Sequence, residues 1–136
     1  MTTYVQARDA LVSHLHTHWS VSYPTIKVYY ENTLPLALDS VGPVFLKVDV
    51  NFDAAVQASV ETAPMTRVQG SLLLVVMAAE GTGTRNSLTY VDYLSNLFKY
   101  RSLSGVQTGA PTPSSSLVSQ GWFYQELFVP FWFDIT

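Results

Sequence analysis

Three histidines spaced two apart, His14, His16 and His18, are the side chains best suited by type to acid–base or metal chemistry. On a helix His14 and His18 share a face at i and i+4, as zinc ligands do, while His16 points away. The His-Glu-x-x-His pattern is absent because Leu15 follows His14, and the chain has no cysteine and no obvious third ligand. The spacing therefore reads as a solvated helix face, with no metal expected. A second group, Gly81-Thr82-Gly83-Thr84-Arg85-Asn86, follows an apolar run and precedes a helical one, where glycine-rich loops cradle phosphates. Asn86 stands where the dinucleotide fingerprint needs its third glycine, and no Gly-Lys-Ser/Thr triplet occurs, so the run reads as turn chemistry. Asp49, Asn51 and Asp53 alternate on one strand face, where paired carboxylates could act as acid and base. A wet sheet face gives the same pattern. The serines lack a Gly-x-Ser-x-Gly setting. No enzymatic constellation emerges, and neither an enzyme nor a cofactor is expected.

The elements that must position these residues follow from hydrophobic spacing. Tyr4, Ala7, Leu11, Leu15 and Trp19 recur at steps of three and four, which predicts a helix over residues 3–19 lying on the outside of a sheet. Tyr23-Pro24 ends it, since the residue before proline is driven to extended geometry. Ile26, Val28 and Tyr30 alternate with polar neighbours as a short strand, and a proline-containing connection spans 32–43. Val44, Leu46, Val48, Val50 and Phe52 then alternate with Lys47, Asp49, Asn51 and Asp53, giving a strand with one buried and one wet face. From Thr66 to Ala78 the side of Val68, Leu72, Leu74 and Val76 is apolar throughout. The opposite side turns apolar only at Leu73, Val75 and Met77, as expected of a central strand whose far end is covered on both sides. After the glycine turn, with Thr84 or Ser87 as cap, Leu88, Val91, Leu94 and Phe98 form the buried stripe of a second helix. The stretch around 103–121 is rich in Ser, Gly, Thr and Pro; a short strand near Arg101 to Gln107 begins it, and the remainder reads as a long loop. The order implies an α+β fold, an antiparallel or mixed sheet of four to five strands with two helices packed on one face.

The closing run from Trp122 to Phe133 is apolar on both sides. Phe123, Leu127, Val129, Phe131 and Phe133 read as the core side. Trp122, Tyr124, Phe128 and Trp132 lie on the other, broken by Glu126 and Pro130. Each aromatic covers roughly 150–250 Å², so together they exceed the roughly 400 Å² patch that a soluble monomer tolerates. Pro130 cannot donate to a ladder, which favours an edge strand or a bulge. An edge strand with an aromatic outer face suits a neighbouring subunit, and Trp122, Tyr124, Phe128 and Trp132, with Arg67 and Arg85, are the candidate interface.

Composition points the same way. At 136 residues the chain is one domain by length. Charged residues make up 12% of it against about 25% in a typical globular domain, so part of the exterior is expected to be hidden in an assembly. The net charge of −3, with basic residues scattered, gives no general attraction to nucleic acid, whose electrostatic footprint is a clustered basic patch. The N-terminal residues lack the basic start and apolar core of a signal peptide, and the apolar run from Leu72 to Ala79 is too short to span a bilayer. A soluble intracellular product without membrane contact is expected.

Two stretches carry a resemblance to a known family. Met1-Thr2-Thr3-Tyr4 entering a helix and then Tyr23-Pro24-Thr25-Ile26-Lys27-Val28-Tyr29-Tyr30-Glu31-Asn32, together with the run from Arg67 to Met77 and the turn Glu80-Gly81-Thr82-Gly83 before a helix, resemble the tail terminator, or tail completion, proteins of long-tailed bacteriophages. The likeness extends over nearly the whole chain in length, element order and turn positions. It implies a small α/β protomer that assembles as a hexameric ring on the last ring of the tail tube, ends tube polymerisation and offers the docking surface for the head. The implied partners are further copies of the chain, the tail tube protein and a head-completion or connector protein. DNA would pass through the lumen without specific binding. The implied location is the head-proximal end of the virion tail, after assembly in the host bacterial cytoplasm. A head-completion, neck or tube protein would share these features. A monomeric ligand-binding or enzymatic domain, its second aromatic face lining a pocket, is the alternative of another class.

Overall fold

The computed structural model describes residues 2–30, 44–57, 59–60, 64–79, 85–114, 117–119 and 122–135, without the side chains of Arg85, Asn86, Leu117 and Ser119. The first helix, α1 (Tyr4–Ser22), starts at a capping box: the Thr3 hydroxyl accepts from the Gln6 N–H, and the Gln6 side chain accepts from the Thr3 N–H. It buries Ala7, Leu11, Leu15 and Trp19, the expected stripe, and gives way at Tyr23 before Pro24. A short strand, β1 (Lys27–Tyr29), runs parallel to β2 (Val44–Gln57), and β2 is antiparallel to β3 (Thr66–Ala79). The second helix, α2 (Arg85–Phe98), is followed by four short strands: β4 (Ser102–Leu103), β5 (Val106–Thr108), β6 (Thr112–Pro113) and β7 (Leu117–Ser119). The closing strand, β8 (Trp122–Ile135), pairs antiparallel with β3 along its whole length.

The fold is α+β, with both helices on one face of a mixed sheet in the order β1-β2-β3-β8-β5-β4 and with β6 and β7 also beside β8. Among the described residues there are eight strands, against the expected four to five. The short strand expected near Arg101 to Gln107 is a hairpin of β4 and β5, and the stretch read as a loop after it supplies β6 and β7, which pair with β8. Ser104 and Gly105 both have positive φ, 50° and 94°, as a two-residue type I′ hairpin turn requires.

A second correction concerns β8, which is no edge strand, since β3 flanks one side and β5, β6 and β7 the other. Pro130 is accommodated at a break. Its carbonyl accepts from the Gly109 N–H at 2.8 Å, so its missing donor also faces the gap between β5 and β6 rather than β3.

The main core lies between sheet and helices and joins Leu11, Leu15, Leu46, Val48, Leu72, Leu74, Val91, Leu94, Phe98, Leu127, Val129, Phe131 and Phe133. In α2 the buried stripe is Ser87, Val91, Leu94 and Phe98, whereas Leu88, expected there, is 46% exposed. The helix meets the sheet along the stripe that begins at Ser87, about 100° round the axis from Leu88. Ser87 therefore sits inside the first turns of α2 and not at its cap, while Thr84 lies outside the described residues. The C-terminus of α2 is held by Thr108, whose hydroxyl donates to the Phe98 carbonyl at 2.5 Å and accepts from the Arg101 N–H at 2.8 Å.

Candidate functional site

The sheet face turned away from the helices carries the candidate interface. Residues opposite one another across β3 and β8 share a face, and the register places Met77 beside Tyr124, Val75 beside Glu126, Leu73 beside Phe128, Ser71 beside Pro130 and Gln69 beside Trp132. At one end, Phe45, Val75, Met77 and Trp122 form a second, smaller core with Tyr29, Leu73 and Tyr124 packed against it. Phe45 stands edge-on to both Tyr29 and Trp122, with ring centroids 5.5 and 5.2 Å apart. Coverage of the Val75 and Met77 end on both sides is as the sequence implied. Trp122, however, is 9% exposed and is taken up within its own chain, with half-buried Tyr124 beside it. That corrects the expectation that all four aromatics are surplus to the domain.

Phe128 and Trp132 behave differently. Phe128 is 36% exposed beside Leu73, and half-buried Trp132 lies one pleat beyond exposed Pro130. Leu73, Phe128, Pro130 and Trp132 make a partly uncovered apolar ridge, bordered by Gln69, Ser71 and the Lys47–Asp49 pair at 3.6 Å. Arg67 is engaged within the chain. Its Nε donates to Asp134 Oδ1 at 2.8 Å and its terminal nitrogen to Oδ2 at 3.0 Å, a two-point pair directly across β3 and β8. Hydrogen bonding to Arg67 holds the Asp134 carboxyl below its usual range, and the same bond raises the guanidinium. Arg85 opens α2, its side chain outside the described residues.

The chemically suggestive residues disperse. A groove of about 740 Å³ runs along α1 beside the β4–β5 hairpin, lined by Asp9, Ser13, His14, His18 and Leu103 among others. His14 bonds the Leu97 carbonyl at 2.9 Å through Nε2, stands edge-on to Phe98 and lies 4.6 Å from the His18 ring. His16 instead faces the Tyr30 hydroxyl at 3.5 Å, so the helix splits the trio as expected. Among the described residues no cluster of three or more His, Asp or Glu is placed to hold a metal. Asp49 is paired with Lys47, while Asn51 and Asp53 are exposed. The Gly81–Gly83 turn lies outside the described residues.

The fold has a solved counterpart. That structure superposes with a TM-score of 0.71 over 95% of this chain and 94% of its own, at 15% sequence identity. At that identity the likeness shows the fold. No family model and no curated protein matches the sequence. Among the described residues no helix is long and apolar enough to cross a membrane.

Burial lowers the His14 pKa, and nearby His18 and Arg101 lower it further, against the Leu97 carbonyl, which raises it. A base with a depressed folded pKa takes up protons more readily when unfolded, where histidine titrates near about 6.5. Stability is therefore expected to fall as pH drops from about 6.5 towards the folded value. Urea midpoints measured at several pH values between 7.5 and 5 should show that decline in the native protein and a flatter profile in His14→Gln. Parallel profiles would remove His14 as its source.

Proposed function

We propose that this chain is a structural virion protein of a long-tailed phage, forming a ring, hexameric in the family it resembles, that caps the tail tube, ends tube growth and receives the head. The observation that carries the docking part is the ridge of Leu73, Phe128, Pro130 and Trp132, left partly uncovered on the face away from the helices. Apolar burial is worth roughly 25 cal/mol per Å², so covering this ridge with the tube or a connector protein favours docking. The low content of charge supports the same reading. The tube-capping part is supported by the resemblance of residues 23–32 and 67–83 to tail terminators.

In this role the chain needs no catalytic group. Its work is to present one surface to its own copies, one to the tube protein and one to a connector protein. A net charge of −3 suits a lumen through which DNA passes without being held.

Native mass spectrometry at micromolar concentration is expected to give a closed oligomer, alone or after mixing with tail tubes. Electron microscopy of the mixture should show tubes ending in a distinct terminal ring. A protein that stays monomeric in both settings and leaves tube ends bare would end this reading.

A further inference from the structure

The sheet has two unlike borders. Among the described residues, β1 covers Phe45–Lys47 on one side of β2, and no described strand lies along β2 from Val48 to Gln57. Every residue from Asn51 to Gln57 is exposed. A free edge offers unpaired N–H and C=O groups to any strand laid beside it, and monomers blunt such edges with lysine, proline or a bulge. Asn51-Phe52-Asp53-Ala54-Ala55-Val56-Gln57 has no lysine and no proline, only the register shift between Phe52 and Ala54, with Asp53 at it. Asp53 has no ion pair among the described residues.

The opposite border is basic. Lys99 and Arg101 are exposed immediately before β4, the last strand of the sheet order. Lys99 rests over the Tyr100 ring at 5.8 Å, and the Arg101 guanidinium donates to the Asn96 carbonyl at 3.2 Å, so both bond neutral groups. Among the described residues, one end of the sheet thus carries a carboxylate without an ion pair on an edge without a strand partner, and the other carries two cations beside a two-residue strand.

We propose that a second copy of this chain seats its β4 border along the free edge of β2, placing Lys99 and Arg101 near Asp53 and continuing the sheet from protomer to protomer. Charge selects this head-to-tail arrangement. Pairing β2 with a second β2 would bring Asp53 towards Asp53, and like charges across an interface are disfavoured. Two different patches meeting in this way propagate, and they close into a ring when the rotation permits. The inference rests on the ring reading and assigns it an interface. The ridge of Phe128 and Trp132, on the sheet face rather than at its border, is left for the tube or head partner.

The absence of cysteine from the chain makes the contact directly testable. Asp53→Cys mixed with Arg101→Cys and treated with a short bismaleimide is expected to yield a covalent dimer that needs both variants. The double variant should yield a ladder ending at the ring. Independently, Arg101→Asp should weaken assembly roughly tenfold or more, as loss of close charge pairs does. Combining it with Asp53→Arg should restore the ring, with unchanged thermal melting as the control for folding. A native ring whose Cys variants never cross-link and whose charge exchange fails to rescue overturns this interface and leaves the ring reading intact. Cross-linking of Asp53→Cys to itself overturns the head-to-tail order. A chain that remains monomeric with and without tubes ends both readings.

Discussion

Phe131→Asp is expected to abolish the folded protein, whereas Trp132→Asp, one residue along the same strand, is expected to leave it folded. Phe131 is 1% exposed in the main core, stacked with Phe133 at 6.4 Å and edge-on to Phe52 at 5.9 Å. Truncating a buried phenylalanine costs about 3–5 kcal/mol through lost transfer energy and the cavity left behind. A carboxylate in that space adds a desolvation penalty, met only by protonation. The sum consumes most of the roughly 5–15 kcal/mol that holds a domain of this size together. Trp132 points to the other face, between Gln69 of β3 and Gln107 of β5, and an aspartate there keeps its water. Its thermal cost should stay near 1–2 kcal/mol by the share of ring already buried, roughly half of a full side-chain burial. Under the proposed function, its larger effect should be on tube capping or head joining. Melting curves beside native mass spectrometry and tube-end microscopy separate the two. Equal loss of melting temperature would mean that Trp132 belongs to the protomer core as firmly as Phe131.

That contrast was legible in the sequence because strand alternation is a local property. The odd side of β8 and the even sides of β2 and β3 could be assigned to the helix layer from period two alone, and the α1 stripe from period 3.6. What was not legible depends on register, which no local pattern carries. Phe45 sits on the side of β2 that Lys47 and Asp49 mark as wet. Only the pairing of Phe45 with Met77 and of Ala79 with Trp122 brings the two rings to 5.2 Å and closes the second core. The same holds for Arg67 and Asp134, directly opposite in space and 67 residues apart in the chain.

The part of 103–121 beyond the expected short strand differs from its loop reading for another reason. A strand of two or three residues has no period to detect, and Pro111 and Pro113 argue locally against one. These residues become β6 because β8 offers them a ladder, as when the Ser114 N–H donates to the Glu126 carbonyl at 3.0 Å. One local signal was available, the Ser104-Gly105 pair that marks the β4–β5 turn. With that side of β8 occupied, an edge role for the closing strand is lost, and among the described residues the open edge passes to β2.

Gly70→Ala is the second substitution expected to act strongly, although it adds one carbon. Gly70 is on the helix-facing side of β3, opposite Phe52 on one flank and Phe131 on the other. The Phe131 ring lies across the place where a side chain would stand. A Cβ built there meets Phe131 Cζ at 2.6 Å and falls still closer to the Asn51 carbonyl oxygen, a backbone atom with no rotamer to yield. Overpacking of this kind costs about 1–3 kcal/mol when a side chain can move aside. Here β2 itself must shift next to its bulge between Phe52 and Ala54, disturbing Tyr4, Phe52, Phe131 and Phe133, whose rings contact one another edge-on or stacked. The loss should therefore reach the top of that range or pass it, read as a fall in urea midpoint at constant m. Adding Phe131→Leu should recover little, because it relieves the ring contact and leaves the carbonyl contact in place. Near-native stability in Gly70→Ala would show that β2 does not approach β3 this closely at the bulge. The argument that glycine makes room for the Phe131 ring would then fail with it.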